Sequence, residues 1–172
     1  MKTLHYYFVL ISPFTYLGHD EFMEIAAASA PSVGYCNTMG TATTMNSLAE
    51  ALGMQLPGAA AIPAPYRERG QISYETGKRI VDMVWEDLTP DKIITPAAVQ
   101  NAATVAMATG CSTNAVVHLL AMARRAGVAL ELSDLDALGR TTPLIANIRP
   151  LGSSEYLMED FYFAGGLRAL MD

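Results

Sequence analysis

Two cysteines, each within two residues of a glycine and each leading into a helical pattern, are the first residues whose setting could support chemistry. Gly34-Tyr35-Cys36-Asn37 precedes a run whose apolar positions recur at three- and four-residue steps. A thiolate there gains from the positive helix end and from unpaired N–H groups, which favours metal ligation or nucleophilic attack. The plainer alternative is a small buried residue in a turn, the usual role of a lone cysteine. A single cysteine cannot bind an iron–sulfur cluster, which needs several ligands. The second setting is Gly110-Cys111-Ser112-Thr113-Asn114. Backbone N–H groups and the hydroxyls of Ser112 and Thr113, with Asn114, could hold a carboxylate or phosphate. Ordinary N-capping by Ser112 or Thr113 explains the same residues without a ligand. Cys111 is not spaced from Cys36 in any short metal-ligand pattern.

The remaining titratable residues are less telling. His118 falls on an apolar helical pattern, where a partly buried, satisfied imidazole is expected, and His5 and His19 have no recognisable partner. Glu159-Asp160 could offer oxygens to a magnesium ion, or could simply open a helix and interact with its dipole. Arg67-Glu68-Arg69 reads as a solvated charged stretch. No serine nucleophile elbow, phosphate-binding loop or dinucleotide fingerprint occurs.

These residues need elements to position them. The strand signals are the aromatic and β-branched run Tyr6–Ile11 and the segment Leu144–Ile148. A signal peptide is the competing reading of the first, but Pro13 and the acidic stretch at Asp20-Glu21 follow where small neutral residues belong. A short helical pattern around Phe22–Ala26 stops at Pro31, and Ser32–Thr38 suits a loop. The spacing then predicts a helix from Met39 to Leu52 ended by Gly53, and an irregular connector over Gln55–Tyr66. A longer helix follows, with Ile72, Ile80, Val81, Val84, Trp85 and Leu88 directed inward. Thr95-Pro96 pairs an N-cap with a first-turn proline and opens a helix to about Ala108. Another runs from Asn114 to Ala126, with Val116, Val117, Leu120 and Ala123 on its inner side and Gly127 as its stop. Ser133 with Asp136 resembles a capping box. Pro150–Ser154 is a turn, and Met158–Ala164 and Leu167–Met171 are short helices. The expected fold class is α/β, a helix-rich partial open sheet with flanking helices.

Composition narrows the function. The 172 residues include 11 basic and 17 acidic ones, a formal charge of −6, which argues against nucleic acid or an anionic membrane surface as partner. Hydrophobic residues make up 51 % of the chain, enough for a true core. No apolar stretch approaches the ~20 residues that span a bilayer, and a cytoplasmic protein is expected.

Three ordered blocks resemble the dihydroxy-acid and sugar-acid dehydratase family, which includes phosphogluconate dehydratase. They are GYCNTMGTATTMNSLAEALGMQLPG (Gly34–Gly58) with AAIPAPYRERG after it, GCSTNAVVHLLAMAR (Gly110–Arg124), and YLMEDFYFAGGL (Tyr156–Leu167). The resemblance implies dehydration of a 2,3-dihydroxy (sugar) acid to a 2-keto-3-deoxy acid with a 2Fe–2S cluster and a magnesium ion. In that chemistry the cluster acts as Lewis acid on the departing 3-hydroxyl, and a serine alkoxide takes the proton from carbon 2. Cys36 matches the family's cluster cysteine, and Ser112, Thr113 and Asn114 fall in a substrate-binding block. Cys111 stands where relatives carry glycine, so it is not assigned as a ligand. The wording NTMGTATTM is closer to the aldonic-acid branch.

The family's cysteine–aspartate–lysine block and its C-terminal domain are not found in this chain. The resemblance therefore implies a divergent segment over 1–18 and a partial dehydratase N-terminal domain over 19–172, inactive alone, with no catalytic residue assigned. A homo-oligomer or a complementing chain could complete it. The competing reading is a non-catalytic helical domain that binds a small anion or a partner protein.

Overall fold

The computed structural model describes residues 36–151 and 156–172. The expected strand Tyr6–Ile11, the helical pattern near Phe22, and His5 and His19 lie outside the described residues. Eight helices follow in chain order among the described residues: α1 (Thr41–Ala51), α2 (Arg67–Trp85), α3 (Pro90–Ile93), α4 (Pro96–Thr109), α5 (Thr113–Arg125), α6 (Leu132–Thr141), α7 (Met158–Phe163) and α8 (Gly166–Met171). The molecule is helix-rich, as expected.

The core is organised by α4, on which α1, α5 and α6 pack. Its sequence, PAAVQNAATVAMAT, supplies small side chains that let neighbouring helices approach closely, and Ala102 and Ala103 are fully buried. The Thr95 hydroxyl accepts the Ala98 N–H at 3.2 Å, satisfying one orphan donor of the first turn. At the other end Gly110 takes the left-handed conformation, φ 62°, that glycine adopts without a Cβ penalty. Leu48 of α1, Leu52 directly after it, Leu119 of α5 and Leu135 of α6 belong to this cluster. A second cluster joins Met39, Ala61, Ala146, Ile148, Met158 and Phe161.

Several expectations are corrected. Leu144–Ile148 is not a strand, and among the described residues only an isolated parallel bridge, Ile148 with Tyr156, is present. The N–H groups of Ile145 and Ala146 both donate to the Ala108 carbonyl near the C-terminal end of α4, at 2.8 and 3.1 Å. A helix end thus takes the donors that a sheet ladder would have used. No sheet is formed by the described residues.

The capping interaction before α6 lies two residues earlier than expected. The Glu131 N–H donates to the Asp134 carboxylate at 2.8 Å, whereas Asp136 pairs with Arg140 one turn on. On α5, Val117 is exposed and the buried positions are Ala115, Leu119 and Ala123. His118 is exposed rather than partly buried. The largest departure is α2. Its Ile80, Val81, Val84 and Trp85 are 56, 54, 74 and 85 % exposed, and none of its residues is buried. Periodicity reports which face of a helix is apolar, not what covers it. Arg69 is likewise not a solvated residue: its half-buried guanidinium donates to the Ile62 carbonyl and ties α2 to the connector before it. No described helix is long and apolar enough to cross a membrane.

Candidate functional site

The segment from Cys36 to Thr44 is the meeting point of the three sequence blocks. At its centre two helix N-termini converge. The Thr41 hydroxyl, in the first turn of α1, lies 2.8 Å from the Ser112 hydroxyl that caps α5. Asn114 donates its side-chain amide to Thr41 Oγ1 at 3.0 Å, and the Ser112 N–H donates to Thr44 Oγ1 at 3.2 Å. The α1 N-cap is Gly40, which has no side chain to satisfy the first-turn donors. The outcome is a cluster of hydroxyl and amide groups where two positive helix ends come together, a setting suited to an anionic oxygen.

The third block is joined through Asn37, which is 3 % exposed. Its backbone carbonyl accepts the Met158 N–H at 3.1 Å and its side-chain oxygen accepts the Glu159 N–H at 2.9 Å. The first turn of α7 is therefore held directly beside Cys36. Glu159 in turn accepts the Tyr66 hydroxyl at 2.5 Å, and Tyr66 packs edge-on against Tyr162. Asp160 accepts the Leu157 N–H at 2.8 Å. Both carboxylates of the Glu159-Asp160 pair thus have partners within the chain, the exposed Asp160 at the opening of α7 and the half-buried Glu159 on Tyr66.

The sequence of residues 15–172 matches the profile of the dihydroxy-acid/6-phosphogluconate dehydratase N-terminal region. The chain belongs to this dehydratase family. D-xylonate dehydratase from Caulobacter vibrioides is 54 % identical over 152 residues, 88 % of this chain and 25 % of the relative. L-arabinonate dehydratase from Rhizobium leguminosarum bv. trifolii is 52 % identical over 151 residues, covering 88 % of this chain and 26 % of the relative. Dihydroxy-acid dehydratase from Methanospirillum hungatei is 44 % identical over 151 residues, 88 % of this chain and 27 % of the relative. The chain spans about a quarter of the length of these curated relatives.

Against that dehydratase background each expected site residue has a definite place. Cys36 is exposed, its sulfur 3.8 Å from the Thr38 carbonyl oxygen and 3.7 Å from the Thr38 hydroxyl. Ser112 and Asn114 belong to the hydroxyl–amide cluster, and Thr113 opens α5 as an exposed residue. Cys111 is half-buried against the core, and burial pushes its thiol above the usual range because a thiolate loses hydration there. It is therefore a poor thiolate donor at neutral pH.

Among the described residues no three histidine, cysteine, aspartate or glutamate side chains come together. The donor set present among the described residues, one exposed cysteine sulfur, does not by itself fit a 2Fe–2S cluster or a magnesium ion. Sequence reasoning missed Asn37, Thr41, Thr44 and Tyr66 as members of this assembly, and it singled out Glu159 for a magnesium ion or a helix dipole rather than for the Tyr66 hydroxyl it accepts. The signal for the threonines was present in the hydroxyl-rich first turn Thr41-Ala42-Thr43-Thr44, which carries no acid.

Proposed function

We propose that this chain serves the dehydration of a sugar acid to a 2-keto-3-deoxy acid, as the part of a dehydratase that presents Cys36 and a substrate-binding cluster. In that reaction the substrate loses the proton on carbon 2 and the hydroxyl on carbon 3 as water, and the resulting enol becomes the keto acid. Ser112, Thr113 and Asn114, with Thr41, would receive the anionic end of the substrate. Cys36 would be one thiolate ligand of a 2Fe–2S cluster whose other ligands, like those of the magnesium ion, the described residues do not supply. On this reading the chain alone does not turn over. The observation that carries the proposal is the convergence of all three motif blocks on Cys36–Thr44, through side chains far apart in sequence. The similarity to enzymes named for D-xylonate and L-arabinonate supports a sugar acid as the substrate class.

The test uses the isotope-labelled chain titrated with D-xylonate, and with xylitol as the uncharged control. Amide shifts confined to the first turns of α1 and α5, given by xylonate and not by xylitol, are expected. Equal responses to both compounds, or none, would remove the substrate-binding role. After anaerobic reconstitution with iron and sulfide, the same preparation is expected to stay colourless and to form no keto acid. A cluster absorbance together with keto-acid formation would overturn the claim that the site needs further ligands.

A further inference from the structure

Thr44 is the least exposed polar residue of the candidate site and is fully buried. A buried hydroxyl in a helix commonly donates to the carbonyl four residues back, as Ser47 does to Thr43 and Thr109 to Val105. At Thr44 that carbonyl, of Gly40, is already taken by the Thr44 N–H at 3.0 Å and by the Thr43 hydroxyl at 3.2 Å. The Thr44 oxygen instead accepts the Ser112 N–H at 3.2 Å, from a residue 68 positions away. Ser112 is the N-cap of α5, so its own N–H has no acceptor within that helix. Its hydroxyl meets α1 a second time, 2.8 Å from the Thr41 hydroxyl. Thr41 and Thr44 are three residues apart and share one face of α1. Ser112 is thus gripped by its backbone at Thr44 and by its side chain at Thr41. Either contact alone leaves a rotation free, and the two together fix where the hydroxyl sits and which way it points.

We propose that Thr44 is a positioning residue for the substrate's anionic end, holding Ser112 so that the Ser112 and Thr41 hydroxyls present one donor to it. The inference rests on the substrate-binding role given above to the cluster, and it gives Thr44 itself no contact with substrate. Hydrogen-bond counting shows why placement matters. Thr41 Oγ1 accepts the Asn114 side-chain amide at 3.0 Å, and Ser112 Oγ accepts the Asn114 N–H at 3.3 Å. One hydroxyl proton bridges the Thr41–Ser112 pair. The other has no acceptor among the described residues and can be given to a carboxylate oxygen. That donor is aimed only while Ser112 stays against Thr41, because a hydrogen bond weakens steeply with misalignment. Removing the Thr44 oxygen leaves the Ser112 N–H without an acceptor, and the capping turn has to move to reach water. Valine has the shape of threonine without the oxygen, and serine keeps the oxygen without the methyl. These two substitutions separate positioning from packing.

The test compares the isotope-labelled full chain with its Thr44→Val and Thr44→Ser variants, with circular dichroism to confirm that each is folded. Without ligand, amide exchange at Ser112 is read relative to the buried Ala103, which cancels any change in overall stability. Thr44→Val is expected to raise that ratio by about tenfold, and Thr44→Ser to leave it unchanged. In a D-xylonate titration Thr44→Val is expected to bind about tenfold more weakly or worse, and Thr44→Ser within about twofold of wild type. Thr44→Ser is also expected to melt lower than wild type, since it loses a buried methyl. Binding kept while stability falls is a split that a packing role does not produce. Equal Ser112 exchange ratios in the two variants would overturn the positioning role. Wild-type affinity in Thr44→Val, or equal losses of affinity in both variants, would overturn its part in binding. A wild-type chain indifferent to xylonate would overturn the substrate reading itself and the purpose assigned to Thr44, and the exchange ratio distinguishes that result from a failure of placement.

Discussion

At the scale of single residues, the most informative contact is the Tyr66 hydroxyl on the Glu159 carboxylate, 2.5 Å away. That hydrogen bond exists only while the phenol keeps its proton. The carboxylate acceptor, followed by desolvation and the negative charge of Glu159, raises the Tyr66 pKa above the ordinary value of about 10. A pKa raised on folding contributes stability that is fully present below the unfolded value and is lost as pH rises through the folded one. Tyr66 is therefore expected to contribute a late-ionising component to the near-ultraviolet tyrosinate titration. Tyr66→Phe is expected to remove it from the difference curve and to flatten the alkaline loss of stability. A Tyr66→Phe difference curve centred at the ordinary phenol value would show that the contact is absent in solution. Residue-scale legibility in the sequence was uneven for a physical reason. Cys36 stood out because its glycine and the following helix are local signals. The partner of Asn37 is 122 residues away, and no local pattern encodes such a contact.

At the scale of elements, the glycines separate local from tertiary constraint. Gly110 combines φ 62° with a position where a Cβ would come within 2.6 Å of Leu151 Cδ1 and 3.0 Å of Leu144 Cδ1. Gly110→Ala is expected to lose roughly 1–2 kcal/mol from the left-handed backbone alone, and more from the clash. Gly70→Ala, in an exposed helix with open space around it, is expected to gain about 0.5–1 kcal/mol. Urea denaturation of the two variants should give opposite signs, and equal signs would refute this assignment of backbone roles. Helices with such punctuation were legible, Thr95-Pro96 and Gly110 around α4, Gly53 after α1 and Gly127 after α5, and the short α7 and α8 were expected within a residue of their bounds without it. The strand expected at Leu144–Ile148 failed because its composition is strand-like, while the end of α4 claims its amide donors. The inward face expected for α2 failed because amphipathicity identifies a face and not its partner.

At the scale of the whole molecule, these differences in burial set a hierarchy of local stability. The centre of α4 is enclosed by α1, α5 and α6, and its amides should open only when the whole core opens. Helix α2 buries no residue in its own chain, so little apolar surface is exposed when it unfolds locally. Hydrogen exchange measured on the dilute chain is therefore expected to be fast in α2 and slow in α4. The order of these rates tests whether the same packing holds in solution. Amides of Ala102–Ala106 are expected to exchange at the rate set by global unfolding, and those along the exposed stretch of α2 faster than that. Equal rates in the two helices would show that α2 is protected by a contact the described residues do not supply, and would refute its place as the least stable element.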